Sequence, residues 1–269
     1  MKAFLKYLVL GLGAVVFAYP FLWMIASSLK PEMEIGGFAL WSPHLTLFNY
    51  EQVFTRIPIG RAFINSVIVS LTSTVSVVVF GSMVGYALAR LRFAGRNVTY
   101  LVVLFTMTLP FQITLIPQYI LIVKLGLTDT YLALIAPTAM TAFSIILFRQ
   151  FFLHVPEALI DAARMDGCSD VRILFRIIWP LSRPVIITVS VLTFMTSWNE
   201  VLWPLIVVRD RSMMTMPQLV TLFTIGGEAE SLLGLQLAAA TLLALPVILA
   251  YSFFQRYFIE SMASTGIKG

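Results

Sequence analysis

The sequence predicts an all-α integral membrane protein that crosses the bilayer six times. Three observations carry that prediction. First, 59% of the 269 residues are apolar, 12% are charged, and the mean hydropathy is +0.92. An ordinary soluble domain carries about twice that charged fraction, and one globular core cannot hide so much apolar side chain. Second, the apolar residues fall into six long runs bounded by charges. Third, the runs lack the strict alternation of membrane β-strands of about 10 residues. This composition excludes a soluble enzyme, a disordered chain and a secreted disulfide scaffold. Cys168 is the single cysteine, which leaves neither a disulfide framework nor a cysteine metal cluster. The net charge of +5 does not point to nucleic acid, because the basic residues punctuate apolar runs instead of clustering on one face.

Crossing about 30 Å of hydrocarbon takes roughly 20 apolar residues. The six runs are 7–29, 62–89, 98–123, 130–148, 184–208 and 231–255. Together they read as one transmembrane domain covering 1–269. The first is too long for a signal-peptide core, and Ser27-Ser28-Leu29-Lys30 offers no small-residue cleavage site, so it reads as an uncleaved helix. The loop after it, rich in turn formers, holds Pro31, Gly36-Gly37, Pro43 and Pro58. In the second run Ser66, Ser70 and Ser73 repeat at i, i+4, i+7, and Gly81 and Gly85 form a small-xxx-small pair. Both read as helix-packing faces. Pro110, Pro117 and Pro137 should kink the third and fourth helices and free carbonyls. Between the fifth and sixth runs, Met216–Phe223 reads as a short interfacial or re-entrant helix ended by Gly226-Gly227.

Orientation follows from Lys and Arg in the loops. One side holds Lys2, Lys6, Arg90, Arg92, Arg96, Arg149, Arg164, Arg172, Arg176, Arg183, Arg256 and Lys268. The other holds Lys30, Arg56, Arg61, Lys124, Arg209 and Arg211, half as many. The richer side is expected to be cytoplasmic, which puts both termini inside.

The segment 149–183 carries more pattern than a connecting loop needs. Pro156 suits a first helical position and Glu157 complements the helix dipole. Leu159, Ala162, Ala163 and Asp166 share one helical face. Gly167 is placed to end that helix in a left-handed cap, Ser169 to cap a second helix and Pro180 to stop it. The periodicity alone fits either a solvated helical hairpin or a docking element whose alanines let another protein approach closely.

The order of residues in this segment is more specific. Asp161-Ala162-Ala163, three residues, Gly167, nine residues, Ile177, any residue, then Trp179-Pro180 closely resembles the EAA loop of binding-protein-dependent ABC importer permeases. That loop reads Glu-Ala-Ala, three residues, Gly, nine residues, Ile, any residue, Leu-Pro. Asp161 stands for the Glu and Trp179 for the Leu. Further segments, in order, are similar to the MalG-like subunits of carbohydrate importers. They include 19–24 with 28–31, Phe63-Ile64-Asn65-Ser66, 86–90, 125–130, Trp198–Leu205, 255–258 and the tail 265–269.

The resemblance implies the six-helix type I importer permease fold and a transport subunit, not an enzyme. It implies that this chain and a second, MalF-like permease subunit lie in the inner membrane and work with two cytosolic MalK-like ATPase subunits and an extracytoplasmic sugar-binding protein. ATP and Mg would sit on the ATPases, with no cofactor on this chain, which has no G-x-x-x-x-G-K-[ST] run. Glu157, Asp161, Ala162, Ala163, Asp166, Gly167 and Pro180 would form the coupling loop, and Lys268 and Gly269 would reach the ATPase dimer. The cargo is a sugar or oligosaccharide, with glycerol phosphate or another polyol as the alternative within the family.

Within the runs, Glu200 is the one ionisable residue, roughly 24 Å along the fifth helix from Pro184. Thr193, Thr196 and Ser197 lie on its face. A polar stripe with a charge lines a water-filled path, or else it makes helix contacts while the carboxylate reaches the interface. On the first reading Thr196, Ser197, Trp198, Asn199, Glu200 and Asn65 belong to the cargo pathway. His44 and His154 fall in loops on opposite sides of the membrane and cannot share a metal. A self-contained secondary transporter would need more buried ionisable residues than one Glu, and an intramembrane enzyme would need a paired nucleophile and base. Neither is present in the runs.

Overall fold

The computed structural model of the chain describes residues 2–227, 229 and 232–266, with side chains described for 4–227, 229, 232–249, 251 and 252. The expected tail contacts of Lys268 and Gly269 lie outside these residues. Among the described residues the chain is helical, with no strand. The helices are α1 (Lys2–Ser28), α2 (Phe48–Arg56), α3 (Ile59–Arg90), α4 (Arg96–Thr108), α5 (Phe111–Lys124), α6 (Tyr131–Ile135) and α7 (Ala142–Leu153). They continue as α8 (Glu157–Met165), α9 (Asp170–Ile173), α10 (Trp179–Leu181), α11 (Arg183–Trp198), α12 (Leu202–Val207), α13 (Met216–Ile225) and α14 (Leu233–Gly266).

Helix α3 is the axis of the molecule. At 1.5 Å per residue its 32 residues run about 48 Å, longer than the hydrocarbon core. It packs against α7 on one side and α11 on another. Gly81 and Gly85 permit the first contact. A Cβ at Gly81 would stand 2.5 Å from Ser144 Oγ, and one at Gly85 would stand 2.7 Å from Phe148 Cβ. Helix α1 lies along α14 at the periphery, and most of its apolar side chains, Phe4 to Leu22, remain exposed.

Three expected spans are not single straight helices. The third breaks at Leu109-Pro110, where α4 and α5 meet at 102°, because Pro110 cannot continue the ladder of α4. The fourth bends by 45° at residues 139–141, just after Pro137 sits in a 3₁₀ turn, Ala136–Thr138. The fifth ends at Trp198, and residues 199–201 separate it from the short α12. Helices α3 and α1 carry the second and first spans unbroken.

The loops after the first, third and fifth expected spans are more structured than turn signals implied. The first contains the amphipathic helix α2, buried at Asn49 and Val53. The expected interfacial or re-entrant helix is α13, ending at Gly226 as expected. Instead of lying on lipid it is buried in the protein core through Met216, Leu219, Val220 and Phe223. Side chains pin these loops over long sequence distances. Both oxygens of Glu32 accept from the N-terminus of α14, at Leu233 N (2.7 Å) and Gly234 N (2.8 Å). Asn49 donates to the carbonyls of Ser28 and Lys30, both at 2.9 Å. Asp129, in the left-handed conformation at φ 58°, accepts from Arg209 N and Asp210 N at 2.6 and 2.8 Å.

Candidate functional site: the hairpin and the cavity

Two features meet α3 at different heights, one at its C-terminal end and one near its middle. The first is the helical hairpin α8–α9. Pro156 precedes α8 as its N-cap, one position earlier than expected, and Glu157 opens the helix. Its turn is a Schellman motif built on Gly167 at φ 75°. Gly167 N donates to Arg164 O and Cys168 N to Ala163 O, both at 3.0 Å. Ser169 caps α9 by accepting from Arg172 N. The sequence places both devices correctly.

The rod that α9 begins does not stop at Pro180. It passes through a π turn, Leu174–Ile178, runs to Leu181, and only then bends by 89° into α11. Proline has no N–H to return to residue 176, and the wide turns ahead of it accommodate the missing bond.

One face of α8 packs inward and one faces out. Ile160 and Ala163 are buried with Ile173, Leu174 and Ile178. The predicted face, Leu159, Ala162, Ala163 and Asp166, is thus divided, because Ala163 turns into the protein. Glu157, Asp161, Ala162 and Asp166 are exposed, and Met165 is 88% exposed. Arg164 lies 3.6 Å from Asp161 and 3.2 Å from Asp170. The Asp170 carboxylate holds the Arg164 guanidinium above its ordinary value.

The second feature is a cavity of about 420 Å³ between α3, α6–α7 and α11–α12. Ser73, Thr138, Thr141, Thr193, Thr196, Ser197 and Thr215 bring hydroxyls to its wall, and Glu200 brings a carboxylate. Apolar wall comes from Val69, Leu134, Phe143, Leu192, Trp203 and Pro204. Ser73 and Thr215 are buried and their hydroxyls have no hydrogen-bond partner. Glu200 stands in the break after α11, and one oxygen accepts from Trp203 N at 3.1 Å, capping α12. The cavity size falls within the roughly 300–1,000 Å³ of small-molecule sites.

The expected pathway residues divide in two. Thr196, Ser197 and Glu200 share the cavity. Trp198 is buried elsewhere, between Phe63 and Phe194, with its indole N–H on Leu243 O. Asn199 is exposed and donates to Met195 O, closing the end of α11. Asn65 is fully buried and acts as a clamp, donating to the carbonyls of Ser212 (2.8 Å) and Met214 (2.9 Å) while accepting from Tyr131 Oη (2.7 Å). The sequence pattern assigns Ser73 to a packing face and does not single out Thr138, Thr141 or Thr215. Their only shared signal is a small hydroxyl in an apolar setting, which packing uses equally often.

Comparison with known proteins identifies the family. Residues 77–264 match the family of the binding-protein-dependent transport system inner membrane component. The permease protein AraQ of the arabinooligosaccharides transport system of Halalkalibacterium halodurans is 38% identical over 97% of this chain and 96% of its own. Its Bacillus subtilis counterpart is 36% identical over 95% and 92%. The sn-glycerol-3-phosphate transport system permease protein UgpE of Pectobacterium atrosepticum is 29% identical over 96% and 94%. A solved bacterial ABC transporter involved in the import of the acidic polysaccharide alginate contains a chain that superposes with a TM-score of 0.82. That chain is 25% identical, with 96% of each covered. A family model matched over most of the chain, relatives aligned end to end and a shared helical architecture lead to one conclusion: this chain belongs to the binding-protein-dependent transport system inner membrane components.

Proposed function

We propose that this chain is one of two permease subunits of an ATP-driven importer for a sugar or oligosaccharide, with the α8–α9 hairpin as its contact to the ATPase subunits. The observation that carries this reading is the hairpin itself. Its Gly167 turn is hydrogen-bonded, its inner face is packed, and its outer face leaves Ala162 and Met165 exposed beside an Asp161 carboxylate held only by Arg164 of the same helix. On this reading α1, α3, α4–α5, α6–α7, α11 and α14 make six crossings with both termini cytoplasmic, and the hairpin face lies in the cytosol. ATP binding and hydrolysis belong to the ATPases. Their closure displaces the hairpins, and the two permease subunits rock to open the path toward a binding protein.

Sugar is the cargo that the arabinooligosaccharide permease relatives support. The glycerol-phosphate relative favours a second reading. The cavity argues against it, because among its described lining residues the charged one is Glu200 and none is Lys or Arg. A phosphate would meet a carboxylate where it needs cations.

Cysteine cross-linking tests the hairpin contact. In a Cys168→Ser background, Ala162→Cys should cross-link to the co-expressed ATPase subunit in membranes. Absence of that product in an assembled transporter would sink the reading.

A further inference from the structure

Ser82, Tyr86 and Arg90 follow one another at i, i+4 and i+8, so they form a single stripe along the cytoplasmic end of α3. Each holds a different part of the hairpin segment. Arg90 reaches the chain entering the hairpin, donating to the carbonyls of Phe152 (2.7 Å), Leu153 (3.2 Å) and Val155. Tyr86 Oη donates to Asp170 Oδ1 at 3.1 Å, just past the hairpin turn. Ser82 Oγ accepts from Trp179 Nε1 at 3.1 Å, at the end of the rod. Asp170 also receives Arg164, which faces Asp161 on the outer surface of α8. A continuous polar chain thus joins Asp161 to α3. About 20 Å further along the same helix, Val69 and Ser73 form part of the cavity wall.

We infer that the Ser82–Tyr86–Arg90 stripe is the strut that transmits hairpin movement to the cavity, with Tyr86 a positioning residue for coupling. This rests on the hairpin being the ATPase contact. Three ties on one helix face constrain displacement and rotation together, whereas apolar packing alone lets the hairpin slide. No proline interrupts α3 between Ile59 and Arg90, so a displacement at one end arrives at the other. Tyr86 is buried, and its ring stays packed on Phe152 at 6.4 Å whether or not it bears a hydroxyl. Tyr86→Phe therefore removes the tie and leaves the packing.

The test uses the complete transporter in proteoliposomes with its binding protein. Tyr86→Phe, Trp179→Phe and the double variant are compared for ATPase co-purification, ATP hydrolysis and uptake of the transported sugar per ATP. The expected result is normal co-purification and hydrolysis, with uptake per ATP falling on the order of tenfold in the double variant. Each single variant should fall less. Unchanged uptake per ATP overturns the inference, as does a loss that merely tracks lost assembly. Failure of the hairpin reading itself would look different, because Gly167→Pro would then still assemble with the ATPases.

Discussion

The hairpin turn offers the most direct perturbation, because Gly167 isolates one physical effect. A Cβ at this position would meet nothing within 4 Å, so substitution costs no packing. What remains is φ at 75°. For an L-residue the left-handed region costs about 1–2 kcal/mol, which lowers the population of the native turn roughly five- to thirtyfold. Asn tolerates this region better and should cost less. Proline holds φ near −65°, loses the N–H that donates to Arg164 O, and disfavours the φ −74°, ψ 5° conformation of Asp166 before it. The penalty for Gly167→Pro should be about 3 kcal/mol or more. The expected order of ATPase co-purification from detergent is wild type, then Asn, then Ala, with Pro lost. Membrane insertion should be intact in all four, because the turn lies outside the spans. Equal co-purification across the series would refute the reasoning. A Pro variant that fails to insert would be uninformative alone, and the Ala and Asn variants then decide.

Other outcomes follow from the same geometry. Gly85→Ala should destabilise the detergent-solubilised protein by about 1–3 kcal/mol, because its Cβ would also meet backbone atoms of α7 at 3.1 Å. Gly81→Ala should cost less, since its obstacle is the Ser144 hydroxyl; equal melting temperatures for the two would count against the crossing. Asn65→Ala leaves the Met214 carbonyl and the Tyr131 hydroxyl unpaired, while Ser212 O keeps Arg61, and should cost about 2–4 kcal/mol in thermal melts, without changing the selectivity of whatever uptake remains. Glu200→Gln keeps an oxygen for Trp203 N, so the fold should hold while uptake falls; unchanged uptake would remove the cavity from the pathway. In the loop after α1, hydrogen bonds from Ser42 and then His44 hold the Glu34 carboxyl below its ordinary range. A lowered folded value means the contact contributes above the ordinary carboxylate pKa and is lost as pH falls through the folded one. Hydrogen exchange over residues 31–46 should therefore rise under acidification below the usual carboxylate range, and a flat response would contradict the contact.

The hairpin is legible in the sequence because its signals are local. Gly at a left-handed position and Ser at a cap each act through their own backbone, so Gly167 and Ser169 announce the turn without knowledge of the surroundings. Pro110 announces a break for the same reason, although not its angle. The inner ends of contacts are not local. Ala163 and Ala162 look alike in sequence, and only the packing of Ile173 and Ile178 decides which one turns inward. Asn65 and Glu200 illustrate the same point from opposite directions. Both are polar residues in apolar runs, yet one is fully satisfied by carbonyls some 150 residues away and the other faces open space. The helix α13 reads as interfacial because its residues are apolar; whether lipid or protein covers them depends on α14 and α3. The strut on α3 has the spacing 82, 86, 90, but that spacing acquires meaning only once the partners on the hairpin are known.

The central claim is that this chain transports nothing alone and is driven through its hairpin by partner ATPases. Affinity purification of the chain from its native membrane, with identification and stoichiometry of what accompanies it, tests that claim most directly. The account predicts one homologous permease subunit and two ATPase subunits per copy, with ATP-dependent sugar uptake when that assembly is placed in liposomes. Isolation of the chain free of any ATPase, with uptake by the chain alone in liposomes, would contradict it.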